Sequence, residues 1–268
     1  MKVFVISHEN QQRKEMYNSE LGHLNTVGKM LDYCDSIYRC DKKEADLDTA
    51  GYVFIVSRVV KERFYHSSLD YSFSENWIAK LSGQMLWSHL SSIVLPEDIL
   101  KHTSGLCSQQ TIVFMELLRA KHINVRSVGL GRKEGPGHFL CEAHYNNSWH
   151  LHDVSEEPEW DKIVNHHQSM NYYEHHKDSL YKAYEAKMPK EVFYTILRTI
   201  DYGKVNEMPA LHMRLFHNVT RITTYILPLI FFSLFLYSYR RKRVTIKELP
   251  DANEQKERVS AEHSIQTN

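Results

Sequence analysis

The residues from 106 to 118 restrict the fold more than any others. Leu106, Ile112, Val113, Phe114, Met115, Leu117 and Leu118 leave that stretch almost no polar side, so a helix there belongs inside the domain. A hairpin is expected to follow it. Residues 138–145 (HFLCEAHY) alternate with the period of a strand, which puts His138, Leu140, Glu142 and His144 on one face and Cys141 on the other. Asn146-Asn147 then supplies a two-residue turn, because Asn tolerates the positive φ of a type I′ turn. With those two residues as the loop, Tyr145 pairs with Ser148, Leu140 faces Asp153 and His138 faces Ser155. Asp153 therefore lies diagonal to His138 on one face, within side-chain reach. A slip of one residue would send the two to opposite faces.

Cys107 opens the apolar helix. Ser104 is the expected N-cap, which places Cys107 in the first turn. There the unpaired N–H groups and the positive end of the helix dipole favour a thiolate, and the same N–H groups can face an oxyanion. A thiol, an imidazole and a carboxylate so arranged make a triad: nucleophile Cys107, base and acid His138, orienting carboxylate Asp153.

At these residues the chain resembles the transglutaminase-like superfamily of papain-type cysteine enzymes. The match consists of Gly105-x-Cys107 at a helix start, His138-x-x-x-Glu142 and Trp149-x-x-x-Asp153, spanning roughly residues 95–160. The resemblance implies an α+β fold with a helical lobe and a nucleophile helix packed on an antiparallel sheet, and the same three catalytic roles. Papain-type sites also take a second oxyanion donor from a side chain upstream of the cysteine, for which Gln84 and Trp87 are the candidates. A surface amide and a packed indole are the alternative readings of those two. Leu140 stands where many members carry Trp, and His122 where they commonly carry Gly at the helix end, so the substrate is expected to differ. Glu142 is expected to be structural, paired with a basic neighbour.

The rest of the chain adds helices and a membrane segment. Lys plus Arg equals Asp plus Glu at 33 each, so no bulk charge points to nucleic acid. Apolar stripes predict helices over residues 21–38, 51–66 and 75–90, and Pro96 opens a short one. Residues 222–239 (ITTYILPLIFFSLFLYSY) carry no charge and run into Arg240-Arg241-Lys242-Arg243, the pattern of a single transmembrane anchor. A buried core helix would seldom end in four basic residues. The expected organisation is a mainly helical N-terminal lobe over 1–95, the core over 96–205 and a juxtamembrane linker over 206–221. A transmembrane helix over 222–239 and a basic, then disordered tail over 240–268 complete it.

Two topologies stay open. Five basic residues after the segment against two before it put the tail in the cytoplasm, whereas an opening too short for a signal peptide suits a tail-anchored protein with a cytosolic domain. Cys34 and Cys40 follow the topology, as a disulfide or as free thiols. The paired histidines His166-His167 and His175-His176, with His144, His150 and His152, suggest a metal cluster less readily than a solvated surface. The loop 129–137 is expected to be flexible beside His138, and no metal or organic cofactor is implied.

The functional expectation is a membrane-anchored enzyme that acts on a peptide or other amide substrate. Water as second nucleophile makes it a peptidase or amidase, and an amine makes it a transglutaminase. The alternative is a non-catalytic membrane-anchored binding or scaffold protein of the same fold, serving surface-polysaccharide assembly. The retained Cys107, His138 and Asp153 argue against that alternative.

Overall fold

The structure is a computed structural model that describes residues 17–41, 48–131, 137–156, 158–164 and 167–248. Helices α1 (Val27–Asp41), α2 (Thr49–Arg63), α3 (Phe73–Met85), α4 (Pro96–Ile99) and α5 (Cys107–Ala120) come first. Strands β1 (Asn124–Gly131), β2 (Gly137–Tyr145) and β3 (Ser148–His152) follow. Helices α6 (Met170–His175), α7 (Lys177–Tyr184) and α8 (Lys190–Ile196), strand β4 (Ile200–Tyr202) and helix α9 (Leu211–Glu248) close the order. Among the described residues this is an α+β fold of nine helices and one antiparallel sheet, ordered β3-β2-β1-β4.

The helix expected over 21–38 begins only at Val27. Asn18 accepts a hydrogen bond from the Glu20 N–H and closes a separate 3-10 turn, Ser19–His23, before Thr26 Oγ1 accepts from Lys29 N and starts the longer helix. Helix α2 starts earlier than expected, at Thr49, because the Asp48 carboxylate accepts from Gly51 N at 2.9 Å. The third helix stops at Met85 rather than running to residue 90. Beyond it a 3-10 turn, Ser88–Ser91, folds back so closely that a Cβ on Gly83 would lie 2.6 Å from Ser91 Cβ.

The sheet is buried on both sides. Period-2 alternation sends Val125, Cys141, Ala143 and Tyr145 to one face, where they join α1, α2 and α5 in one core. Val128, Leu130, Leu140 and Leu151 turn to the other face and pack with α6, α7 and α8 in a second. Helix α5, with Ile112, Val113, Phe114, Met115, Leu117 and Leu118 all at 2% exposure or less, is the interior helix its sequence demands. Arg63 ties the helical side together. Its guanidinium, 1% exposed, donates to the carbonyls of Leu24, His102, Leu100 and Gly22.

The chain divides into two compact units, Met1–Asn218 and Val219–Asn268. In the first, the opening turns of α9 are fixed by His217, whose ring bonds the Leu90 carbonyl at 3.0 Å and meets Tyr71 edge-on. Residues 206–221, expected as a linker, are thus helical from Leu211. The second unit carries the apolar run with Pro228 inside the helix, and the segment Leu211–Arg241 has a mean hydropathy of 1.7 in its most apolar stretch. It is one helix long and apolar enough to cross a membrane.

Candidate active site

The hairpin has the register read from its sequence. Tyr145 pairs with Ser148, His144 with Trp149 and Cys141 with His152, and both turn residues have positive φ (48° at Asn146, 60° at Asn147). Continued past His152, that register sets Asp153 diagonal to His138. His138 Nε2 lies 2.6 Å from Asp153 Oδ2. The Cys107 side chain lies close enough to the same imidazole to raise its pKa. The three residues therefore meet in one place, with His138 in the middle.

Cys107 is the first helical residue of α5, capped by Leu106 rather than Ser104. The Leu106 N–H is satisfied by the Gln109 side chain at 3.0 Å, and the Gln109 amide in turn donates to the Leu69 and Ile93 carbonyls. Ser104 instead bridges to Tyr65. A polar side chain three residues into the helix thus does the capping, and Cys107 keeps its first-turn position. The thiol is half-buried, while His138 and Asp153 side chains are 9% and 0% exposed.

Asp153 is held on every side. Its Oδ1 accepts from Ser155 N, Ser155 Oγ and Glu156 N, an Asx turn that fixes the carboxylate just beyond β3. Its Oδ2 accepts from His138 and from the Tyr184 hydroxyl, both at 2.6 Å. Lys61, buried on α2, donates to the Ser155 carbonyl and anchors the turn. Burial alone would lift the Asp153 carboxyl, but the His138 charge and these hydrogen bonds hold it far below the usual carboxylate range. Burial alone would likewise depress His138, yet the Asp153 carboxylate, aided by the nearby Cys107 side chain, raises the imidazole well above its ordinary value.

Other side chains fall elsewhere. Gln84 is exposed in the last turn of α3, and Trp87, 56% exposed, stacks edge-on with His89. Among the described residues neither makes a hydrogen bond or ring contact with Cys107 or His138. Tyr184, Ser155 and Lys61 are the site-building residues that the sequence reading missed; of these only Asp153-Val154-Ser155 carried a signal, as an Asx-turn sequence. Glu142 bonds Arg126 Nε at 2.6 Å, the basic neighbour expected for it.

Cys34 and Cys40 are free thiols, one buried and one exposed on α1, and burial pushes the Cys34 thiol up to about 12. Cys141 is buried on the face opposite His138. His150, His152 and His167 pack as a stack with Tyr145, Phe54 and Trp160, while His175 and His176 each bond a carbonyl of their own helical turn. His166 and most of the 129–137 loop lie outside the described residues.

No family model matches the chain, and no curated protein matches it. Among the solved structures similar to it are the following two. One is a TGase, at TM-score 0.33 and 13% identity over 66% of this chain and 39% of that one. The other is a Cytophaga hutchinsonii protein classed as a cysteine protease, at TM-score 0.32 and 12% identity over 54% of this chain and 47% of that one. The chain spans less than half the length of either. Likeness this loose carries nothing about the reaction, which has to be argued from the side chains themselves.

Proposed function

We propose that Cys107, His138 and Asp153 act as a cysteine-nucleophile triad that transfers or hydrolyses an acyl group at an amide carbonyl. One observation carries the reading: a single imidazole is bonded through Nε2 to a buried carboxylate and lies near enough to Cys107 for that side chain to raise its pKa. Asp153 fixes the ring so that its second nitrogen serves the sulfur. His138 takes the thiol proton, and the thiolate attacks the carbonyl carbon. The oxyanion so formed faces the free N–H groups of the first turn of α5. Collapse breaks the C–N bond, His138 returns its proton to the leaving amine, and a thioester remains on Cys107.

Water then releases an acid, or a second amine takes the acyl group. The apolar helix of the second unit supports attachment of the domain to a lipid bilayer by a single pass, centred on residues 222–239. The test is intact-protein mass spectrometry of the full chain in detergent, after exposure to peptides and amides with and without an added primary amine. A thioester mass on Cys107, absent from Cys107→Ser and His138→Ala, is the expected result. Folded wild-type protein that never acylates while its Cys107 reacts no faster than Cys40 would overturn it and favour a binding role.

A further inference from the structure

Four residues along β2 from His138, roughly 13 Å at strand spacing, the sheet carries a second charged constellation that the triad does not use. Glu142 is fully buried and sits opposite Arg126 in the β1–β2 register. Its Oε2 accepts from Arg126 Nε at 2.6 Å and its Oε1 accepts from Met170 N at 2.6 Å. The guanidinium is thereby held by one edge. The rings of Trp149 and Tyr202, from the two edge strands, lie 4.5 and 4.7 Å from its central carbon and restrain its faces.

The opposite edge is left over. Among the described residues, the two terminal amino groups of Arg126 donate to nothing. Arg126 lines a pocket of about 410 Å³, walled by Trp149 and Tyr202 and rimmed by Ser148, Gln168, Ser169 and Asn171. A guanidinium keeps its charge at any physiological pH, and its planar fork matches two oxygens of a carboxylate or phosphate. The rim adds hydroxyls and side-chain amides able to donate to further oxygens. Glu142 neutralises part of the Arg126 charge and Glu174 lies near Tyr202, so bulk attraction is small. Recognition must then come from the directed hydrogen bonds of a fixed fork.

We propose that this pocket is a binding site for an oxyanion group, a carboxylate or a phosphate, seated on the free edge of Arg126. The site stands whether or not Cys107 is a nucleophile. The full chain in detergent, carrying 15N-arginine, is titrated with inorganic phosphate and separately with acetate, chloride holding the ionic strength constant. The Arg126 Nε–H resonance, assigned from its loss in Arg126→Lys, is expected to shift saturably with at least one of them. Saturation by phosphate alone assigns phosphate esters, and saturation by acetate assigns carboxylates. Asn171→Glu puts a fixed carboxylate on the exposed rim without disturbing the buried pair, and should weaken binding about tenfold or more. No saturable shift with either anion, or an unchanged midpoint in Asn171→Glu, would refute the site.

Discussion

At the scale of single residues, the His138 ring is the pivot, and its protonation can be followed. The Asp153 carboxylate holds the proton on it, so the His138 ring resonances should titrate above the ordinary value of about 6.5. Asp153→Asn should bring the midpoint down and lower turnover by orders of magnitude. Tyr184→Phe makes a finer test. It strips one donor from Asp153 Oδ2, leaving the carboxylate more basic toward His138. The His138 midpoint should rise further, while stability falls by about 1.5–3 kcal/mol for a lost bond to a charged group. A purely structural tyrosine would change stability and leave the titration where it was. The meeting of His138 and Asp153 was legible because a two-residue turn fixes every cross-strand pair. Tyr184 was not, since it comes from α7, 31 residues away, and nothing local ties it to Asp153.

At the scale of elements, the ends of helices are where local chemistry decides. Helix α5 ends in a Schellman motif: Ile123 N bonds the Leu118 carbonyl at 3.0 Å and His122 N the Arg119 carbonyl at 2.9 Å. That motif puts His122 at φ 59°, the left-handed region that glycine enters freely. His122→Gly should therefore raise stability by about 0.5–1 kcal/mol, read from chemical denaturation. Gly83→Ala should do the reverse. Its methyl would meet Ser91 at 2.6 Å, and overpacking of this kind costs about 1–3 kcal/mol. Interior helices and strands were legible from periodicity, since α5 is apolar around its length and β2 alternates. Their boundaries were less so. The N-cap of α5 passed from Ser104 to Leu106 because Gln109 reaches back to bond the Leu106 N–H, a contact no propensity at Ser104 reveals.

At the scale of the whole molecule, two histidines pull the pH dependence of stability in opposite directions. His138 is raised in the folded state, so its contribution is complete below about pH 6.5 and fades as pH climbs through the folded value. His152 is depressed, first by burial and then by His167 and His150. Its unfolded form takes up the proton first, so stability is lost as pH falls below about 6.5. His152→Gln should flatten the acid limb of unfolding free energy against pH, by up to about 1.4 kcal/mol per pH unit. His138→Ala should instead remove the loss of stability that His138 causes as pH rises above about 6.5. Arg63 integrates the helical side in the same global sense. Its replacement by Met leaves four carbonyls without their donor and should cost about 3 kcal/mol or more.

These balances surround one claim, that the Cys107 sulfur is activated by the ring beside it. The most direct measurement is the rate of iodoacetamide alkylation at each cysteine of the full chain at pH 7, resolved by peptide mass spectrometry. Cys40 serves as the exposed reference, and Cys34 and Cys141 as buried ones. Cys107 should react at least about tenfold faster than Cys40, and His138→Ala should remove that advantage. Equal rates at Cys107 and Cys40, or a rate at Cys107 untouched by His138→Ala in a folded protein, would contradict the account.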